Sequence, residues 1–564
     1  MKTQASYDCL LSDFIMLILA IALYASSIYP SLEEFTGFID SMGLGFDSDS
    51  LRNFDGIAPD QGLNAAFQDR SLFTLASEPD TAEEQIESGH RAQMPTLLPI
   101  PLNPWKAQRA DMLHAFGPFK HLVPSFSLPS RESLTRFLNA YFDGVYLHMP
   151  FIHCASFSPE KHPLELVLAM AAAGAQYRYQ HRTGRMLYFA AKAIFQERQR
   201  AKARGISRGE QLTAALPVTS GPFSSRPTIT DDLRCLLNLM IFGTWQQDLE
   251  LLRDACDFQS LFVRLMRESG LVEEDTSESD ASNLNWQTWL ELEATRRVKL
   301  FGFAFLNLQS IAYNLPPILL STEINLRLPC TCDEWRTVNE MHWKQVRQNI
   351  HHEQKFFQDA LASLLNEGKV MPVSTIQPTP SPTASILTLH ALLQRILLGR
   401  QAALCNNVPQ ADILTNALRN WTSTWQLAPE SSLDPLNPNG PIPFTATALL
   451  GLAYTRLQID LGPCRMLKTR SPVEIARALH QSPPVSRDKN LLPALLHATH
   501  ALSIPVKLGV EYVSRSQAFV WSIQHAICGL EFAVLVEKWL RQVERTKVEQ
   551  PLEGLSTVSR WSAP

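Results

Sequence analysis

From Ser130 the chain sets an apolar stripe with the period of a helix. Leu134, Phe137, Leu138, Tyr141, Phe142 and Val145 follow one another at steps of 3, 1, 3, 1 and 3, the spacing that puts side chains on one helical face. Ser130 stands where an N-cap is wanted. Pro163 opens a second stretch, "PLELVLAMAAAGAQYRYQ", and "TGRMLYFAAKAIFQERQRAK" follows it. Small residues at Ala171–Ala173 and Gly174 let helices approach closely. Residues 231–271 read as two or three packed helices. An acidic loop, "VEEDTSESDAS", divides them from a helix starting near Asn283. Further helical stretches are expected near 340–366, 385–406, 410–425, 444–459, 490–511 and 515–543, with proline-rich breaks at 372–382 and 429–443. No alternating series of strands appears. The fold class is therefore all-α, a large multi-helix domain without a fixed repeat.

The first 129 residues break this pattern. Residues 14–29, "FIMLILAIALYASSIY", are an apolar run shorter than the roughly 18–20 residues that span a bilayer. The positive flank of a signal peptide is missing, since Lys2 is offset by Asp8 and Asp13. Residues 31–60 interleave acidic residues with Phe35, Phe38, Ile39, Leu44, Phe46 and Leu51, a composition seen in disordered activation segments and also in ordinary acidic loops. Residues 61–129 are polar and proline-punctuated and read as linker. The expected organisation is thus an apolar segment at 1–30 and an acidic, Pro/Ser-rich, mostly disordered region at 31–129. A helical domain at 130–340, a helical continuation at 341–545 and a tail at 546–564 complete it.

Composition narrows the chemistry. The 564 residues carry a formal net charge of −5, with 19% charged and 45% hydrophobic residues, so only a local basic patch could meet nucleic acid. Nine scattered cysteines, an odd number, do not make a secreted disulfide scaffold. No phosphate-binding glycine loop, HExxH or GxSxG occurs, which removes the common enzyme signatures. The stretch "LHMPFIHCASF", 147–157, holds His148, His153 and Cys154, and "PCTCDEW", 329–335, holds Cys330 and Cys332. Neither completes four zinc ligands by local spacing. His497 and His500 share a helix face, His351-His352-Glu353 sits on a polar helix, and "RYQHRTGR", 178–185, is a short basic run. Each is most simply a core residue or a solvated face. Glu293 stands at i,i+3 and i,i+4 from Arg296 and Arg297, so an ion pair on one helix is available. Pro150 ends any helix before it and leaves backbone groups that a histidine in the turn can satisfy.

Several of these blocks, in this order, resemble the fungal-specific transcription factor domain, the middle homology region of fungal regulators. The first block is an aromatic helix, a turn with His148, Pro150 and His153, then Phe157, a helix opened by Pro163 and the pair Gly174-Ala175. The second is Trp286, Trp289, Glu293, Arg296 and Arg297, then Pro316 and Pro317, then Leu328, Pro329, Cys330 and Trp335. "FLNLQSIAYNLPPILL" is most similar to members bearing Cys2His2 fingers. The resemblance implies a nuclear, non-enzymatic transcriptional regulator, plausible for a secondary-metabolite gene cluster. The landmark residues would be structural. Partners would be the transcription machinery, a small-molecule effector and a second copy of the chain. Residues 1–130 show one cysteine, Cys9, and no basic cluster. No cofactor is therefore expected in this chain, zinc entering only with a finger encoded upstream. Promoter DNA would be met through that finger or through a DNA-binding partner. The alternative is a membrane-anchored or secreted helical protein using residues 14–29, with Asn420 of Asn420-Trp421-Thr422 glycosylated.

Overall fold

The computed structural model describes residues 109–207, 223, 227–274, 285–365, 378–403, 411–434, 437–485, 489–508, 513 and 521–549. The expectations for 1–108, including the apolar run and the acidic segment, lie outside these residues. Among the described residues the fold is all-α, as the periodicity requires: 17 α-helices, short 3-10 turns and no named strand. Two isolated bridges, Val272 with Asn325 and Arg327 with Phe356, tie down the loops after two helices.

The stretch 109–129, expected to be linker, instead carries α1 (Arg109–Phe116) and a 3-10 turn at Gly117–Leu122. Met112 and Phe116 are buried in the core and Arg109 hydrogen-bonds the carbonyls of Leu128 and Pro129. The proline signal hid three apolar anchors, Met112, Ala115 and Phe116. Helix α2 (Arg131–Asp143) starts where expected, Ser130 Oγ accepting the Ser133 amide at 3.2 Å, a cap worth about 1 kcal/mol. The four-residue α3 (Val145–His148) stops before Pro150, with Met149 in an extended-side conformation at φ −142°. Helices α4 (Leu164–Gln176) and α5 (His181–Ser207) pack as a pair with α2 across α4. Gly174 is where α4 meets α2: a Cβ there would stand 1.9 Å from the Phe137 carbonyl oxygen. Gly174→Ala should therefore force the helices apart and cost about 3 kcal/mol. A wild-type midpoint in denaturant unfolding would refute this contact.

Helices α6 (Ile229–Thr244) and α7 (Leu249–Glu268) form an antiparallel pair. α6 is fixed by a capping box between Thr228 and Asp231. The central element is α8 (Trp286–Tyr313), 28 residues long, capped by Asn285 and ended by Asn314 in the left-handed region at φ 52° before the Pro316-Pro317 turn. From Arg297 to Tyr313 every residue of α8 is buried, so it is the shaft around which the other helices stand. After α9 (Cys332–Trp335), α10 (Glu340–Arg347) and α11 (Phe357–Leu365) come α12 (Pro382–Ala403), α13 (Ala411–Leu427) and α14 (Ile442–Gln458). Pro382 opens α12 rather than breaking it, as proline in a first turn permits. The short α15 (Pro472–Gln481), whose periodicity had not marked it as a helix, is capped by Ser471. Helices α14, α16 (Leu492–Leu508) and α17 (Ile523–Glu549) pack mutually. One hydrophobic core runs from Met112 to Val536. A smaller one gathers Trp289, Leu290, Ala294, Cys330, Trp335 and Trp343 around the N-terminal half of α8.

Candidate functional site

That smaller core collects most of the sequence landmarks. Glu293 and Arg297 face each other one turn apart on α8, Arg297 Nε donating to Glu293 Oε1 at 2.7 Å with both side chains 1% exposed. The pair is inside the protein rather than on the helix surface that the spacing alone allows. Arg297 also donates to the Cys330 carbonyl at 3.2 Å and the Pro150 carbonyl at 3.4 Å, and its guanidinium lies 4.1 Å from the Trp335 ring centre. Glu293 Oε1 accepts the Cys330 amide at 3.0 Å, and Arg296 adds a second charge at 3.7 Å while reaching Glu273 at 2.8 Å. Burial raises the Glu293 pKa, but the two arginines and the Cys330 amide outweigh it and hold the carboxyl below its usual range. One guanidinium thus joins α8, the Pro150 turn and the Pro329-Cys330 segment, and Pro329 in turn takes a hydrogen bond from Ser381 Oγ at 3.0 Å. These partners lie 33 to 147 residues apart.

His153 sits against this node, 4.9 Å from the Trp335 ring and 6.4 Å from that of Trp286. Its Nδ1 accepts the Ser156 amide at 3.2 Å and stands 2.8 Å from Ser156 Oγ, so it fastens the turn that follows it. Burial lowers its pKa to about 4. His148 is buried on the far side of the same turn, near His525 of α17. Pro316 and Pro317 lie at the other end of α8, remote from the node, and Gly174 belongs to the α2–α4 contact. The structure brings together Pro150, His153, Trp286, Trp289, Glu293, Arg296, Arg297, Pro329 and Cys330, but not His148, Gly174 or the Pro-Pro turn.

The cysteines of this arrangement are not nucleophiles at neutral pH. Burial pushes the Cys154 and Cys332 thiols up to about 12 and Cys330 well above its ordinary value, so all three stay protonated. Zinc does not fit these residues: an Arg297 nitrogen stands 3.5 Å from Cys330 Sγ, a cation where a metal would need to be. No group of three or more His, Cys, Asp or Glu among the described residues is placed to hold an ion. Cys154→Ala should shift stability by no more than about 1 kcal/mol, read as a thermal midpoint near wild type.

Beside the node lies a pocket of about 40 Å³, lined by Tyr146, Leu147 and Pro150 from the turn, Arg297, Cys332 and Trp335 of α9 with Arg336 at its C-cap, Thr383, and the loop Pro438–Gly440 with Ile442. Arg336 closes it by donating to Asn439 Oδ1 at 2.9 Å and the Pro438 carbonyl at 2.5 Å. Sequence reasoning did not mark Tyr146 or Arg336, because nothing local signals a wall assembled from five separate segments.

Residues 138–423 match the model of the fungal specific transcription factor domain, and residues 460–558 that of the fungal transcription factor C-terminal domain. The chain belongs to the fungal-specific transcription factor domain family. It is similar to zinc finger protein zas1 of Schizosaccharomyces pombe, 23% identical over 239 residues, which are 41% of this chain and 24% of that protein. It is also similar to zinc finger protein klf1 of the same yeast, 23% identical over 305 residues, 52% of this chain and 35% of that protein. The chain thus matches only a quarter to about a third of the length of these relatives. No solved structure matches it.

Four histidines in this family fold are buried and held neutral: His153, His390 and His497 with pKa lowered to about 4 and His525 to about 3, burial being the first cause in each. In the unfolded chain they titrate near 6.5. Below that pH the unfolded state binds more protons, so the stability they hold is complete above pH ~7 and is lost as pH falls from 6.5 toward 4. Each contributes up to ~1.4 kcal/mol per pH unit. Glu165, Glu334 and Glu430, raised by burial, work in the opposite direction. Unfolding midpoints at pH 7, 6 and 5 should fall monotonically; a flat profile would contradict the buried, neutral state.

Proposed function

We propose that this protein regulates transcription in the nucleus of a fungus, with the helical domain as its regulatory body. The observation that carries the reading is the family match across residues 138–423, and the printed names of the similar yeast proteins support it. Promoter DNA is reached through a finger encoded upstream of these residues or through a DNA-binding partner, and the transcription machinery is recruited from there. We place its targets in a secondary-metabolite gene cluster. A tagged full chain should concentrate in nuclei, crosslink to promoters and, when deleted, change the transcripts of a group of neighbouring biosynthetic genes. Cytoplasmic fluorescence with no promoter enrichment would sink the regulatory reading; enrichment at unrelated housekeeping genes would sink only the choice of pathway.

The membrane or secreted alternative rests on residues 14–29, which lie outside the described residues. Among the described residues no helix is long and apolar enough to cross a membrane. Asn420, its expected glycan site, is 1% exposed and donates to the Leu364 carbonyl at 2.9 Å, so a glycan there would require the helix to leave the core.

A further inference from the structure

The loop between α14 and α15 ends in Lys468-Thr469-Arg470-Ser471-Pro472. A serine or threonine followed by proline occurs five times in the sequence, at 158–159, 379–380, 381–382, 471–472 and 482–483. The fold closes most of these to an enzyme. Ser381 and Ser482 are buried, and their hydroxyls donate to the carbonyls of Pro329 and Leu479. Ser158 is bonded to Glu160 and followed by a buried proline. Thr379 has no lysine or arginine among the five residues before it. Ser471 differs from all four. Arg470 stands directly before it and Lys468 two positions further back. Its downstream flank of Pro472, Val473 and Glu474 is exposed, Val473 by 66%. Its own backbone is extended, at φ −97° and ψ 111°, the form a following proline favours. Its Oγ accepts only the Glu474 amide, at 3.4 Å, a long bond that is cheap to give up.

The residue before it ties the loop to two helix ends. Arg470 Nη2 donates to the Thr244 carbonyl at the end of α6 at 2.7 Å and to the Tyr313 hydroxyl at the end of α8 at 2.8 Å. Its Nε is buried and makes no hydrogen bond. Arg470 is in the left-handed region at φ 56°. A non-glycine residue stays there only where its surroundings hold it, and here the two Nη2 bonds do so.

We propose that Ser471 is a phosphorylation site for a proline-directed protein kinase, and that its phosphate draws Arg470 off Tyr313 and Thr244. The γ-phosphoryl group of a nucleoside triphosphate passes to Ser471 Oγ. The Oγ–P bond forms, the bond to the β-phosphate oxygen breaks, the nucleoside diphosphate leaves, and the hydroxyl proton goes to the base of the kinase. A phosphoserine carries nearly two negative charges and three acceptor oxygens, a stronger partner for a guanidinium than a carbonyl and a phenol. Glu474 on the first turn of α15 opposes the phosphate, while Arg470 and Lys468 favour it. With Arg470 withdrawn, the loop and α15 lose their bonds to the ends of α6 and α8. What that release changes at a promoter rests on the regulatory reading of the chain; the modification does not.

The test treats the purified full chain with ATP and a proline-directed kinase of the mitogen-activated class, and maps phosphate by mass spectrometry. In the folded chain Ser471 should be modified roughly tenfold faster than Ser381 or Ser482, whose exposure requires local unfolding. In the heat-denatured chain that advantage should shrink. Pro472→Ala, an exposed change that keeps the acceptor hydroxyl, should slow modification of Ser471 roughly tenfold. Hydrogen exchange then reads the second half of the proposal. Amides of residues 466–481 should exchange faster once Ser471 carries phosphate. Arg470→Gln should show the fast exchange without phosphate and no further change with it. Should Arg470→Gln fold poorly, the phosphorylated wild-type chain alone decides. No phosphate on Ser471 of the folded chain, or equal rates at Ser381 and Ser482, overturns the site. Indifference to Pro472→Ala overturns the class of kinase, and phosphate on Ser471 with unchanged exchange overturns the release of Arg470.

Discussion

Arg297→Ala should lower the stability of the folded chain by about 4 kcal/mol, the order expected when one partner of a buried ion pair is removed. The loss has several parts. Glu293 would remain 1% exposed with only Arg296, 3.7 Å away, and the Cys330 amide as company. The carbonyls of Pro150 and Cys330 would lose their donor, and the Trp335 ring its guanidinium at 4.1 Å. Arg297→Lys should not rescue it, because a single ammonium cannot reach three acceptors in a plane while stacking on an indole; a loss of about 2–3 kcal/mol is expected. Removing both charges together, as Arg297→Met with Glu293→Leu, should cost less than the sum of the single changes. Denaturant unfolding of the four proteins measures this. If Arg297→Ala unfolds within about 1 kcal/mol of wild type, the node does not hold the three segments it touches.

A larger loss, about 5 kcal/mol, is expected for Glu531→Gln. Glu531 is 0% exposed on α17 and accepts from Arg456 of α14 at 2.5 and 3.1 Å and from Arg465 of the loop after it. Both arginines also reach the Ile311 carbonyl of α8. One carboxylate therefore serves two buried guanidiniums. Burial and the Arg456 charge already lower the Arg465 pKa to about 10. A glutamine keeps the shape and removes the charge, leaving two buried cations with only the more distant Asp460 carboxylate to offset them. Glu537→Gln, six residues along the same helix and paired with the half-exposed Arg541, should cost less than about 0.5 kcal/mol. The contrast separates the triad from a general effect of charge on α17. Equal effects of the two changes would show that the triad is not what holds α17 to the shaft.

The two sites differ in how far they could be read from the chain. The Trp286–Arg297 stretch carries its own spacing, so a pair between Glu293 and Arg297 was legible as an i,i+4 contact. Its burial was not, because that depends on Pro150 and Cys330 closing over it from 147 and 33 residues away. The triad around Glu531 left no local trace at all, its members being 66 and 75 residues apart. Long amphipathic helices such as α7 were legible throughout, since period alone places them. Helix α1 was not: the prolines around it outweighed Met112, Ala115 and Phe116 as a signal, although these three anchor the segment in the core. In "LHMPFIHCASF" the turn that Pro150 predicts is present: His153 ties to Ser156, and the buried Cys154 has its thiol pKa pushed up.

The most direct test of the account is a tethered reporter. The full chain, fused to an unrelated DNA-binding domain, is placed at a promoter in a fungal cell, and transcription is compared with the tether alone. The account predicts a change in output that disappears with Arg297→Ala. Output equal to the tether alone from an intact, nuclear fusion would contradict it.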